Sequence, residues 1–175
     1  MPSTTAQINA QITYSSVDLS KLTLRLGAAS QAQMDVALTG NADLSKYQLK
    51  TTSPNTSFQY AGLKWTLTTV TSSFSADGKQ ADSGMRYIVV TLKVNNPTSN
   101  TYYYSINDYG RLQSGTITNP PTNTTLDTSI AAGTTGAVGT ITFLMPQNGG
   151  SFTLMMLART DITPPASQYT TIFQI

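Results

Sequence analysis

Short runs in this chain place an apolar residue at every second position, and clusters of turn-forming residues separate the runs. In LKWTLTT, Leu63, Trp65 and Leu67 fall on one face and Lys64, Thr66 and Thr68 on the other. In MRYIVVTLKVNN, Ile88, Val90, Leu92 and Val94 face one way, opposite Tyr87, Val89, Thr91 and Lys93. GTITFLMP brings Ile141 and Phe143 together, and SFTLMML is apolar on both faces at its end, which marks a central strand. A period of two belongs to strands, not helices. The clusters between the runs are SPNTS (53–57), ADGKQADSG (76–84), NNPTSN (95–100), NDYG (107–110), NPPTN (119–123), AAGTTG (131–136), PQNGG (146–150) and TPPAS (163–167), and they stand about 8–20 residues apart. Short strands at that spacing predict an all-β fold, an immunoglobulin-like antiparallel β-sandwich.

Residue content agrees. Threonine, whose β-branch favours strands, is about one residue in six. The one stretch with helical propensity is AASQAQMDVAL (28–38), with Gly40 placed to end it; MDVAL also reads as a strand, the assignment preferred here. DLSKLTLR (18–25) and DLSKYQLK (43–50) share an opening, but no similarity continues outside them. Each is read as a turn, with Asp bonding local backbone, that leads into an amphipathic strand. KTTSPNTS (50–57) divides the chain. Residues 58–175 make a self-sufficient set of about eight strands, and residues 1–57 are an N-terminal β extension holding an added hairpin and a terminal strand.

Composition removes several classes of function. Charged residues are 10% of the chain, against an average of about 25%, and the net charge is +2. The ten basic residues stand singly, so no stripe exists to neutralise a row of phosphates, and nucleic-acid binding is not expected. The longest apolar runs, YIVV (87–90) and LMMLA (154–158), fall far short of the roughly 20 residues of a spanning helix, so no membrane span is expected. A chain of 175 residues can bury roughly 70% of its unfolded surface without disulfide or metal. Cys, His and Glu are absent. Thiol chemistry, Cys-zinc sites and the commonest general base near neutral pH go with them. A hydroxyl- and amide-rich surface poor in titrating groups points to an extracellular or cell-surface protein. Met1-Pro2-Ser3-Thr4 is followed by no apolar leader core. Met1 is therefore either a native start or a replacement for a removed leader, and the composition favours the replacement.

Residues 84–115, GMRYIVVTLKVNNPTSNTYYYSINDYGRLQSG, carry a family pattern. It comprises Gly84, the Tyr87–Val90 strand, Asn95, the Tyr-rich Tyr102–Ile106 stretch and Asp108–Gly110; Gly133 and Phe143–Pro146 follow. In these elements the chain resembles the domain-of-unknown-function family of secreted immunoglobulin-like sandwiches related to the mycobacterial immunoprotective extracellular protein. The resemblance covers about residues 58–175. It implies an extracellular or cell-envelope setting and no defined reaction, because its motifs are structural.

Candidate chemistry is sparse. Asp82-Ser83-Gly84 and Asp127-Thr128-Ser129 resemble fragments of aspartic-protease loops. Asp82 follows no hydrophobic strand, and Ser129 replaces the required Gly, so no dyad is assigned. The eight Asp offer no clustered pair for glycoside hydrolysis, and no lysine has Ser three positions before it. Residues 77–82 and 107–110 hold oxygen ligands without the spacing of a calcium loop. No catalytic residue, cofactor or metal is assigned, and enzymatic activity is not expected. Asn55 and Asn123 stand in N-x-S/T sequons.

Two binding features remain. Tyr102-Tyr103-Tyr104 puts aromatics on both faces of a strand, one for the core and one free to stack on sugar rings or a partner's apolar surface. In AQINAQITY, Ala6, Ile8, Ala10, Ile12 and Tyr14 share a face opposite Gln7, Asn9, Gln11 and Thr13. Such a strand either protects an edge of its own sandwich or inserts into a neighbouring copy, as in donor-strand assembly. The leading expectation is a non-enzymatic structural or interaction protein, self-assembling through that strand, whose partners are other copies of itself or envelope components. A glycan- or peptide-binding module using Tyr102, Tyr103 and Tyr104 is the alternative, and a phage or virion surface subunit is a third reading.

Overall fold

The computed structural model describes residues 21–39 and 45–175. The strand expected at Ala6, Ile8, Ala10, Ile12 and Tyr14 lies outside them. In chain order the strands are β1 (Thr23–Leu26), β2 (Met34–Ala37), β3 (Lys50–Thr52), β4 (Thr56–Tyr60), β5 (Leu63–Ser73), β6 (Ser75–Ala76) and β7 (Lys79–Gln80). They continue as β8 (Met85–Asn95), β9 (Tyr102–Tyr103), the single helical turn α1 (Ile106–Tyr109), β10 (Gly110–Ser114) and β11 (Ile117–Asn119). Last come β12 (Asn123–Thr124), β13 (Ser129–Ile130), β14 (Ala137–Pro146), β15 (Ser151–Met156) and β16 (Tyr169–Gln174).

The protein is all-β and antiparallel. One sheet runs β12-β14-β8-β5, with β3 and β4 both paired to the far edge of β5; the other runs β11-β10-β15-β16. With β5, β8, β10, β11, β12, β14, β15 and β16 taken as strands A, B, C, C′, D, E, F and G, the sheets are ABED and C′CFG. That is the immunoglobulin-like connectivity. The first sheet takes in Lys50–Thr52 and residues 56–57 from the N-terminal side of residue 58. Among the described residues no helix is long and apolar enough to cross a membrane.

The alternating faces close on one another. Ile88, Val90, Leu92 and Val94 are buried with Ile141, Phe143 and Met145, and they belong to one core with Leu112, Phe152, Leu154 and Met156 of the second sheet. SFTLMML is central, with β10 and β16 on either side. On β5 the buried series Leu63, Trp65, Leu67 resumes at Val70, one residue out of step. A register shift between Leu67 and Thr69 accounts for this, and the Thr68 hydroxyl there donates to the Thr91 carbonyl at 3.1 Å.

Two expectations need correction. The second Asp-Leu-Ser-Lys does not lead directly into a strand: Ser45–Tyr47 form a 3-10 turn and β3 begins only at Lys50. Tertiary contacts win there, because the Tyr47 ring lies 6.0 Å from Phe74 and its hydroxyl accepts from the Asp35 backbone N–H at 2.8 Å. The Tyr-rich strand is shorter than its sequence, ending after Tyr103 and giving way to α1. The region 28–38 contributes strand β2, antiparallel to β1.

The sandwich has two poles. Lys64 pairs with Asn95 and Gly110 with Met156, so the 61–62 turn, residues 96–109 and residues 157–168 gather at one end, the loop pole. Ser73 pairs with Tyr87 and Pro146 with Met85, which places residues 74–84 and 147–150 at the other. The β1–β2 hairpin docks at that second end, where the Ala32 N–H donates to the Ala81 carbonyl at 2.8 Å and Ser83 N–H to that of Ser30 at 3.1 Å. Asp77 and Gly78, both at positive φ, turn β6 into β7.

Candidate functional site

The loop pole is held by buried polar groups that face inward from three loops. Asn96, fully buried, is the first. Its Nδ2 donates to the carbonyls of Asn100 (2.8 Å) and Ile130 (2.9 Å), and its Oδ1 accepts from the Thr98 N–H (3.0 Å) and hydroxyl (2.7 Å). Its backbone N–H donates to the Thr134 carbonyl at 2.9 Å. With both amide hydrogens and the amide oxygen engaged, Asn96 pins the loop after β8 to the loop that carries Ile130.

Arg159 is the second. It is 6% exposed, and its guanidinium forms a fork on Asp161, Nε to Oδ1 at 3.1 Å and Nη2 to Oδ2 at 2.6 Å. Nη1 donates to the Tyr102 hydroxyl at 2.7 Å and the Tyr103 carbonyl at 3.2 Å. The guanidinium carbon lies 5.3 Å from the Tyr102 ring centre and 4.5 Å from that of Tyr109, whose hydroxyl donates to Asp161 at 3.2 Å. Across this cluster the Tyr60 hydroxyl donates to the Leu157 carbonyl at 2.7 Å, tying the β4–β5 turn to the loop before β16.

Between these loops lies a cleft of about 470 Å³, within the size range of small-ligand sites. Gly62, Thr98, Asn100, Tyr102, Tyr103 and Pro164 are among the residues of its wall. A second depression of about 260 Å³ shares Ala61, Gly62 and Pro164 with it and so lies beside it at the same pole. Ala61 and Gly62 both have positive φ, which lets β4 reverse into β5 in a two-residue turn at the groove floor.

The three tyrosines part company here. Tyr102 lines the cleft with its hydroxyl held by Arg159, and Tyr103, 71% exposed, stands on the rim. Tyr104 is not available for ligand contact. It is 8% exposed and packs edge-on against Trp65, ring centres 5.6 Å apart. Trp65 sits under the pole as the hub of an aromatic cluster with Phe58, Tyr60 and Tyr104, so Tyr104 is drawn inward.

Charge in the cleft is balanced and fixed. The Arg159 guanidinium holds the Asp161 carboxyl at about 2, and the Arg159 pKa is itself raised, chiefly by its hydrogen bond to Asp161. Burial pushes the Tyr60 and Tyr102 hydroxyls above the ordinary tyrosine value. Each of these shifts moves a group away from neutral pH. Asn96, Tyr109, Arg159 and Asp161 escaped the sequence reading. The one available signal was Arg159-x-Asp161, opposite charges two apart beside a Pro-Pro turn.

No protein-family model and no curated protein matches the chain. Among solved structures it is similar to a functionally unknown protein from Listeria monocytogenes EGD-e, at 13% identity and a TM-score of 0.52, over 73% of this chain and 88% of that one. It is also similar to a conserved hypothetical protein from Bacillus anthracis, at 11% identity and a TM-score of 0.48, over 69% of this chain and 96% of that one. At such identity the Listeria likeness speaks for the shared sandwich fold and nothing beyond it.

Proposed function

We propose that this chain is a non-enzymatic, extracellular or cell-surface binding module that holds an uncharged glycan in the groove at its loop pole. The observation that carries the reading is the groove itself. It is walled by Thr98, Asn100 and Thr101 beside an exposed tyrosine, and the buried cation in its wall is already matched by Asp161. Hydroxyl and amide groups serve the hydroxyls of a sugar, an aromatic face serves its C–H surface, and a neutral site suits a neutral polymer. Loops fixed in advance also lose little entropy on binding. The low charge, the missing His and Cys, and the resemblance to secreted immunoglobulin-like proteins support the setting. A glycan array probed with the whole protein, followed by calorimetry on any hit, tests this. Tyr103→Ala, an exposed change, is expected to weaken binding about tenfold with the fold intact. Failure of the parent protein to bind any glycan rejects the reading, and capture of a peptide instead assigns the groove to a different ligand.

One observation favours assembly as a second reading. Among the described strands β16 pairs only with β15, and Ile172 on it is exposed, so one six-residue edge is open. The segment Ala6, Ile8, Ala10, Ile12 and Tyr14 of another copy has the alternation to fill it. Removing residues 1–16 and comparing masses by light scattering tests that; a monomer both before and after removal rejects it.

A further inference from the structure

Arg86 opens β8 on the core-facing parity of Ile88 and Val90, and it is 7% exposed. Its Nη1 donates to the Ser72 hydroxyl at 3.0 Å, its Nη2 to the Gly149 carbonyl, and the guanidinium carbon lies 5.5 Å from the Phe152 ring centre. Among the described residues Nε has no hydrogen-bond partner, and no carboxylate forms an ion pair with this side chain. Burial alone lowers its pKa, with no acid opposing the shift. Proteins rarely leave a buried cation in that condition.

Beside it lies a cavity of about 130 Å³ lined by Gln48, Lys50, Ser72, Phe74, Arg86 and Gln147. Among the described residues the lining supplies two cations, two amides and a hydroxyl, and no acid. We propose that this cavity seats a small tetrahedral oxyanion, sulfate or inorganic phosphate. Such an ion supplies the missing counter-charge and enough oxygens to accept from guanidinium, ammonium and amide donors together. Its donors come from the segment before β3, from β3 itself, from β5 and β8 and from the β14–β15 turn, so the ion ties the N-terminal side of the chain to the hairpin end of the sandwich. The site is independent of the glycan groove.

Calorimetry and thermal unfolding of the whole protein test this with sodium sulfate, sodium phosphate and sodium chloride at matched low ionic strength, and with a sulfated disaccharide. Sulfate and phosphate are expected to bind with one-site stoichiometry and, at about 100-fold excess over Kd, to raise Tm by several degrees where chloride does not. Lys50→Gln, an exposed change, is expected to weaken sulfate at least tenfold without altering the unliganded Tm. Arg86→Met is expected to abolish binding. General stabilisation by exclusion of sulfate and phosphate from the protein surface would act equally on all three proteins, so a shift that persists unchanged in Lys50→Gln overturns the proposal. So does the absence of any oxyanion-specific effect on the parent. Binding of the disaccharide as tightly as sulfate overturns the enclosed free-ion site in favour of an open one.

Discussion

Arg86 and Arg159 are buried to nearly the same degree, one at each pole of the sandwich, and each donates to a hydroxyl and a carbonyl beside an aromatic ring, but among the described residues only Arg159 has a carboxylate. Arg159 has a carboxylate fork, two aromatic faces and two further acceptors, so its charge is satisfied by the fold. Arg86 has one hydroxyl, one carbonyl, one aromatic face and an idle Nε. The difference extends to the packing around them. The loop pole grows out of the main core through Trp65, Tyr60 and Tyr104, whereas the hairpin pole rests on a separate small cluster of Ala32, Ala81 and Tyr87 with Phe74 and Met85. The charge at the loop pole therefore finds its partner within the fold, and the charge at the hairpin pole lies beside the cavity proposed for an ion.

The largest expected effect comes from cutting the loop pole away from the core. Trp65→Ala removes the hub beneath Tyr60 and Tyr104 and is expected to cost about 3–5 kcal/mol in urea unfolding. Phe74→Ala in the small cluster should cost clearly less; equal losses would remove the contrast between the poles. Next is Asn96→Ala, which strips the carbonyls of Asn100 and Ile130 and the donors of Thr98 of their shared partner. It should cost about 1–3 kcal/mol and leave the hairpin pole's amide-exchange protection unchanged.

The smallest effects are those of pH. Asp161 is held at about 2, below its ordinary value, so its contribution is present above about pH 4 and fades as pH falls through 2. Tyr60, Tyr102 and Tyr104 are raised above the ordinary value of 10.0, mainly by burial, so their contribution is present below about pH 10 and is lost as pH climbs beyond it. With no histidine or cysteine between those limits, thermal stability should be nearly flat from about pH 5 to 9. A pronounced transition in that range would contradict this assignment of the titrating groups.

The strand interiors were legible in the sequence because burial on one face writes a period of two. Ile88 to Val94 carry it without interruption. The edges were less so. Tyr47 sits in the right alternation for a strand and is taken instead by Phe74 and Asp35, contacts between segments that no local pattern announces. In Tyr102-Tyr103-Tyr104 the alternation separates Tyr103 from the other two, but only the position of Trp65 decides that Tyr104 goes inward. The groove was illegible for a similar reason. Tyr60 and Leu157, whose hydrogen bond closes it, are 97 residues apart, and Arg159 with Asp161 reads as ordinary loop polarity until Tyr102 and Tyr109 are folded around it. Arg86 shares the parity of the core residues after it, which marks a buried charge but does not reveal that its partner is missing.

The difference between the two arginines is most directly measured on their Nε–H groups by NMR. The account expects the Arg159 Nε–H to be protected from solvent exchange and unmoved by sulfate, because Asp161 already holds it. It expects the Arg86 Nε–H to shift and to gain protection on titration with sulfate. Equal responses from both groups, or none from Arg86, would contradict the claim that one buried charge is completed by the fold and the other by a bound ion.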